Sequence, residues 1–82
     1  MDLNADYTHD PPSVIFTFDR DGRHCTGAVS LHALAVLHGQ AISTAEEAIS
    51  VYRHFWRRIH TAALGLHACG HALPFVRADD VA

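Results

Sequence analysis

Histidine is the residue type in this chain with the greatest potential for chemistry. The 82 residues include eight histidines and no lysine. Imidazole is a common metal ligand, and its unperturbed pKa of about 6.5 lies close to neutrality. The composition therefore suggests either a metal site or a pH-dependent charge, and the spacing of the histidines has to distinguish the two.

The metal hypothesis depends on His67, Cys69 and His71. The two histidines lie four residues apart, a spacing that can place two ligands on one helix face. Gly70 lies between them and predicts the end of the helix. A closed zinc site needs four ligands. Only His24 and Cys25 could supply the other two, and two adjacent residues seldom bind the same metal ion. We therefore predict no metal and no cofactor, and keep a histidine-based metal binder as an alternative function.

For nucleophilic catalysis, Cys25 with a histidine is the candidate pair. His24 is its neighbour in sequence, and adjacent side chains of a strand point to opposite faces. His32 or His67 could approach the thiol only through the fold. We therefore predict no catalytic residues and a protein that is not an enzyme.

A basic stripe formed by Arg53, Arg57 and His60 could contact phosphate. Three positive groups would give a weak contact that depends strongly on salt. Neither aromatic residues interleaved with basic ones nor a helix-turn-helix pattern accompanies them. We interpret the stripe as a solvated helix face. No nucleic-acid partner is expected, although a nucleic-acid accessory function is kept as an alternative.

The pattern of the first half predicts a β-hairpin. Val14, Phe16 and Phe18 alternate with more polar residues, as in a half-buried strand. The sequence Asp19–Gly22 resembles part of a calcium loop but lacks a third ligand and the closing Glu. It is typical of a tight turn, and a second strand is expected over 23–29.

Two helices are expected after the hairpin. Ser30 can cap a helix over 31–38 that ends at Gly39. Ser43 with Glu46, and Thr44 with Glu47, form two overlapping capping boxes before a long helix over about 45–68. On that helix an apolar side lies opposite the basic stripe, which continues to Leu64 and His67. The apolar side comprises Tyr52, Phe55, Ile59, Ala62, Ala63 and Leu66, with Trp56 at its edge.

The expected fold class is α+β, in the order β-β-α-α-β. A small antiparallel sheet, made of the hairpin and a strand over 72–77, packs against the two helices, the second of them long. Residues 1–12 are acidic and close on Pro11 and Pro12, so we predict a flexible N-terminal arm followed by a single domain over 13–82. Pro74 places the last strand at an edge or marks its start.

Charge and composition indicate a cytoplasmic protein. The formal net charge is −3, which gives no general attraction to nucleic acid or to anionic membranes. The acidic start is the opposite of a basic signal peptide, and no apolar run is long enough for a membrane span. Protonation of all eight histidines would change the net charge to +5, so the charge is expected to change sign between about pH 7.5 and pH 5.

The chain resembles a small bacterial family, domain of unknown function 1488. The strand with Phe16 and Phe18, the Asp-Gly turn and the segment 29–34 are similar to the start of that family. Phe55, Arg58, Ile59, Ala62 and Ala63 fit the order of residues on its long helix, and Asp80 with Val81 fits its terminal pair. His32 and His67 depart from the acidic and aromatic residues usual there. The resemblance covers about residues 14–81. It implies the fold but no activity, because none is assigned to the family.

The most consistent function is a small interaction or accessory protein that self-associates. Three short strands leave open sheet edges, which natural proteins often cover by pairing. The partner would be a second copy or another protein, with no membrane involved. The scattered histidines are interpreted as substitutions in a genome rich in G and C.

Overall fold

The computed structural model describes residues 4–81, as four strands and four helices. Met1–Leu3 of the expected arm and Ala82 of the expected domain lie outside the described residues. The strands are β1 (Ala5–His9), β2 (Pro12–Arg20), β3 (Arg23–Ser30) and β4 (Phe75–Val76). The helices are α1 (Leu31–His38), α2 (Ala45–His54), α3 (Trp56–Ala68) and α4 (Ala78–Val81).

The sheet has the order β1-β2-β3-β4, and the α+β class is confirmed. β2 pairs with β1 and with β3 in antiparallel fashion, whereas β4 runs parallel to β3. This mixed sheet differs from the antiparallel sheet expected. The chain reaches β4 through α1, α2 and α3, and a crossover of this length allows two strands to run in the same direction.

The predicted hairpin is confirmed as β2 and β3. Asp21 and Gly22 both have positive φ, 52° and 80°, which is the type I′ geometry favoured by a two-residue hairpin. Further along β3, a Cβ atom on Gly27 would lie 3.1 Å from the ring of Phe16. The absence of a side chain there gives the Phe16 and Phe18 rings room to lie over β3.

The N-terminal segment forms a strand where the sequence predicts a flexible arm. In β1, Ala5 and Tyr7 are half-buried against the core while Asp6 is exposed. Over these three residues the burial alternates, as in a strand with one buried face. The pairing of His9 with Pro12 makes Asp10–Pro11 a two-residue hairpin loop. The proline pair that suggested an arm therefore marks a chain reversal.

The first helix has the predicted bounds and caps. The Ala33 N–H donates to Ser30 Oγ at 3.0 Å, and Gly39 ends the helix with φ 84°. The long helix expected over 45–68 is interrupted at Phe55, which has φ −110° and ψ 20°. No glycine or proline marks this position, so the sequence contains no signal for the break.

The C-terminal segment forms a shorter strand than expected, followed by a helical turn. Phe75 and Val76 alone form β4, and the Ala28 N–H donates to the carbonyl of Pro74 at 2.9 Å. α4 was not expected from the sequence. Its first turn is closed by Asp80, whose Oδ2 accepts from the Arg77 N–H at 2.9 Å.

The hydrophobic core lies between one face of the sheet and the helices. It contains alternate residues of β2 and β3 together with Leu34, Val51 and Val76. On the expected apolar side of the long helix, Tyr52, Ile59 and Ala63 are fully buried. Within residues 4–81, no helix is both long and apolar enough to cross a membrane.

Candidate functional site

An open groove with a cavity volume of about 890 Å³ lies between the second half of β2 and α3. Because β2 alternates, Phe18 faces α3 and forms the floor, while Thr17 and Asp19 lie at the rim. Successive turns of α3 form the opposite wall. The groove is lined by Asn4, Thr17, Phe18, Asp19, His24, Trp56, Arg57, His60, Thr61 and Leu64. We refer to it as the β2–α3 groove.

His60 is the polar residue placed deepest in the wall of this groove. Its ring stacks on Phe16 with a centroid distance of 5.1 Å and an interplanar angle of 15°. The edge of the Trp56 ring meets it at 5.3 Å. Its Nε2 atom lies 2.7 Å from the hydroxyl of Tyr52 on α2. Aromatic packing and one hydrogen bond therefore fix the orientation of the imidazole.

The Tyr52 hydroxyl determines which nitrogen of His60 carries a proton. Tyr52 is fully buried, and burial raises its pKa to about 12, so the hydroxyl keeps its proton at neutral pH. The hydrogen needs an acceptor, and His60 Nε2 is its hydrogen-bond partner. Tyr52 therefore donates to Nε2, and the neutral imidazole carries its own proton on Nδ1. Burial lowers the pKa of His60, although the carboxylate of Asp19 opposes this effect.

Charged side chains are placed at the rim of the groove and on its α3 wall. On the hairpin, His24 Nδ1 lies 2.6 Å from Asp19 Oδ1, and both side chains are exposed. On α3, the guanidinium carbon of Arg57 lies over the Trp56 ring, 5.4 Å from its centroid, within the range of a cation–π interaction. The groove thus combines an apolar floor with the Asp19–His24 contact on one side and an arginine on the other.

The residues of the metal hypothesis do not form a cluster. His67 Nδ1 accepts a hydrogen bond from Arg20 Nη1, and the His67 ring meets the edge of Phe18. Cys69 and His71 are exposed beyond the end of α3. Across residues 4–81, no three His, Cys, Asp or Glu side chains lie close enough together to hold one metal ion.

The basic stripe is divided between two environments. Arg53 and Arg57 are exposed, as expected for a solvated face, whereas His60, Leu64 and His67 are half-buried. His60 and Leu64 line the groove. The expectation of one continuous solvated face is therefore wrong for the second half of the helix. The sequence did hold a signal, because Tyr52, Trp56 and His60 recur every four residues and so lie along one side.

The remaining candidates are separated by the fold. Cys25 is half-buried and pairs with Phe18, on the face toward the helices. His24 lies on the other face, bound to Asp19, and His32 is exposed on α1. No hydrogen bond joins the Cys25 thiol to a histidine in the described part of the chain. Asp19–Gly22 forms the hairpin turn, as predicted.

Comparison with solved structures identifies a similar fold. It is the crystal structure of a protein of unknown function from the DUF1488 family of Shewanella loihica PV-4. The TM-score is 0.76 at 18% sequence identity, over 89% of this chain and 85% of that one. The chain has the fold of that structure. The resemblance inferred from the sequence is thus confirmed at the level of fold.

The two sequence comparisons found no match. No family model matches the chain, and no curated protein matches it. The structural match is to a protein of unknown function, so no catalytic family is indicated by similarity.

Proposed function

We propose that this chain is a small non-catalytic interaction protein of the domain of unknown function 1488 family, and that it self-associates through the outer edge of β1. The observation that supports this proposal is the position of β1 at the end of the sheet. The two cysteines are free thiols and Cys69 is exposed, which is consistent with a protein that functions in the reducing cytoplasm.

β1 is the better of the two sheet edges for pairing. It has five residues, Ala5–His9, whereas β4 at the other edge has two. Natural edge strands are commonly protected by lysine, proline or a bulge. β1 contains neither lysine nor proline, and all five residues pair with β2 in an unbroken register. Its outer backbone groups have no strand partner within residues 4–81.

The β1 sequence is also compatible with itself in an antiparallel arrangement. When two copies pair about Tyr7, Asp6 of one copy lies opposite Thr8 of the other, and Ala5 lies opposite His9. No like charges then face each other, and like charges placed directly opposite destabilise paired strands. Such pairing would extend the four-stranded sheet to a continuous sheet across two copies.

The experiment is a native mass measurement of untagged protein, combined with light scattering over a range of concentrations. We expect a dimer in the micromolar range. The double substitution Asp6→Lys with Thr8→Lys places like charges opposite each other at the edge, and should yield a monomer. The substitution Glu46→Lys with Ser50→Lys, on the exposed side of α2, changes the net charge equally and should leave the dimer intact.

Hydrogen exchange of the wild-type chain tests the same edge without relying on a variant. The backbone amides of β1 should exchange more slowly at high protein concentration than at low concentration. A wild-type monomer at several hundred micromolar would contradict the proposal, as would equal loss of the dimer in both charge variants. Stoichiometric zinc or nickel in the native mass would instead favour the metal-binding alternative.

A further inference from the structure

The hydrogen-bonding groups of the β2–α3 groove are biased toward donors. His60 Nε2 is occupied by Tyr52, so the group left for a ligand is the Nδ1–H, which has no partner within residues 4–81. The Arg57 guanidinium, which also lines the groove, offers further N–H donors. The strongest acceptor, the Asp19 carboxylate, is already in contact with His24 at 2.6 Å. The Thr61 hydroxyl donates to the carbonyl of Arg57 at 2.8 Å.

The same groove has an apolar floor that is fixed in place. Phe18 is 2% exposed, and it lies against the helix side of the groove together with Trp56 and Leu64. Trp56 is held between the Arg57 guanidinium on its face and the His60 ring at its edge. An apolar body placed on this floor would have the arginine and the His60 Nδ1–H along one wall.

From this arrangement we infer that the β2–α3 groove binds a small carboxylate with an aromatic or apolar body. The Arg57 guanidinium would contact the carboxylate, and the His60 Nδ1–H would donate to it. A guanidinium matches a carboxylate with two parallel hydrogen bonds. Phe18 and Trp56 would cover the apolar body. This combination of an apolar pocket with a few convergent polar groups is typical of small-molecule sites.

The Asp19–His24 pair sets the main restriction on this inference. A free carboxylate at the rim would repel an anionic ligand and attract an ammonium group. His24 Nδ1 lies 2.6 Å from Asp19 Oδ1, so the carboxylate at the rim is already engaged by a hydrogen-bonding partner.

The test is an NMR titration with phenylacetate, followed at the indole N–H of Trp56, the single tryptophan of the chain. Phenylacetamide supplies the same body without the charge, acetate supplies the charge without the body, and phenethylamine reverses the charge. We expect saturable shifts with phenylacetate and binding at least roughly tenfold weaker with the other three.

Variants assign the binding to the groove. Arg57→Gln and Arg57→Lys should each weaken phenylacetate binding, the first by roughly tenfold or more and the second less, because lysine keeps the charge but loses the planar fork. Arg53→Gln removes an exposed arginine that does not line the groove and should bind as the wild type does.

Three results would overturn the inference. They are no saturable shift up to about 10 mM phenylacetate, equal binding of phenylacetamide, or tighter binding of phenethylamine. The last result would identify Asp19 as the anchoring group. Spectra of the free variants report whether each is folded, and the wild-type ligand series decides the question even if an Arg57 variant is not.

Discussion

At the scale of single residues, the Tyr52–His60 hydrogen bond is the feature that links the core to the groove. The hydroxyl is fully buried, while the imidazole is half-buried and borders the groove. The Tyr52 ring also stacks on Phe16 at 5.2 Å. Replacing Tyr52 by phenylalanine would keep this aromatic packing and remove only the hydroxyl group.

We predict that Tyr52→Phe lowers the free energy of unfolding by about 1–3 kcal/mol, because it leaves His60 Nε2 without its donor in a partly buried position. Tyr7→Phe is the matched control, since Tyr7 is half-buried and its hydroxyl makes no hydrogen bond to another described residue. Urea denaturation at pH 7.5 measures both. Equal losses for the two variants would show that the hydrogen bond to His60 adds no stability.

The histidines show what residue type alone can and cannot predict. Five of the eight are exposed, and His38, His60 and His67 are half-buried. Counting histidines could not reveal that two of them face β2, because their orientation depends on how α3 is rotated against the sheet. The one-residue break at Phe55 affects that rotation, and no glycine or proline at this position predicts the break. The four-residue spacing of Tyr52, Trp56 and His60 indicated that His60 lies beside aromatic residues, but it did not indicate that this side faces β2.

At the scale of elements, the start of α2 shows which of the two overlapping capping boxes is formed. The sequence allows either Ser43 or Thr44 to cap the helix. In the structure the Glu47 N–H donates to Thr44 Oγ1 at 3.1 Å. The Glu47 carboxylate accepts from the Ser43 backbone N–H at 3.2 Å. Thr44 therefore caps with its side chain, whereas Ser43 contributes its backbone.

We predict that Thr44→Ala lowers the free energy of unfolding by about 1 kcal/mol, the usual cost of losing an N-cap side chain. Ser43→Ala, one residue earlier, should change it by less than about 0.5 kcal/mol, because its backbone N–H remains. Both residues are exposed, so burial does not distinguish the two variants. Thermal or urea unfolding gives the comparison, and a larger loss in Ser43→Ala would reverse the assignment of the cap.

Elements with strong local signals were predictable, and those specified by tertiary contacts were not. The hairpin turn and the caps of α1 are local and have the expected residues in the expected places. β1 is polar in composition and becomes a strand through its pairing with β2. The parallel direction of β4 likewise depends on the path of the chain through α1, α2 and α3, and no local sequence pattern predicts that path.

At the scale of the whole molecule, histidine protonation affects charge and stability in different ways. The formal net charge of −3 would become +5 with all eight histidines protonated. Water solvates the charge of an exposed side chain at little cost to the fold. His60 differs, because its neutral ring is packed between Phe16 and Trp56 and is hydrogen-bonded to Tyr52.

We predict that the free energy of unfolding falls as the pH is lowered below about 6.5. Burial lowers the pKa of His60 in the folded chain from its ordinary value of 6.5. The unfolded chain therefore binds the proton more readily than the folded chain does. The stabilisation is fully present above the unfolded pKa and is lost as the pH falls through the lower, folded pKa. Urea denaturation at intervals between pH 7.5 and pH 5 measures this dependence.

The His60→Gln variant should lose the part of this pH dependence that belongs to His60, whatever its stability at pH 7.5. His32→Gln, an exposed histidine on α1, is the control and should keep the wild-type slope. Trp56 gives an independent readout, because a protonated imidazole at its ring edge should quench its fluorescence, and the midpoint of that change would lie below pH 6.5. Parallel stability curves for wild type and His60→Gln would exclude His60 as the source of the acid sensitivity.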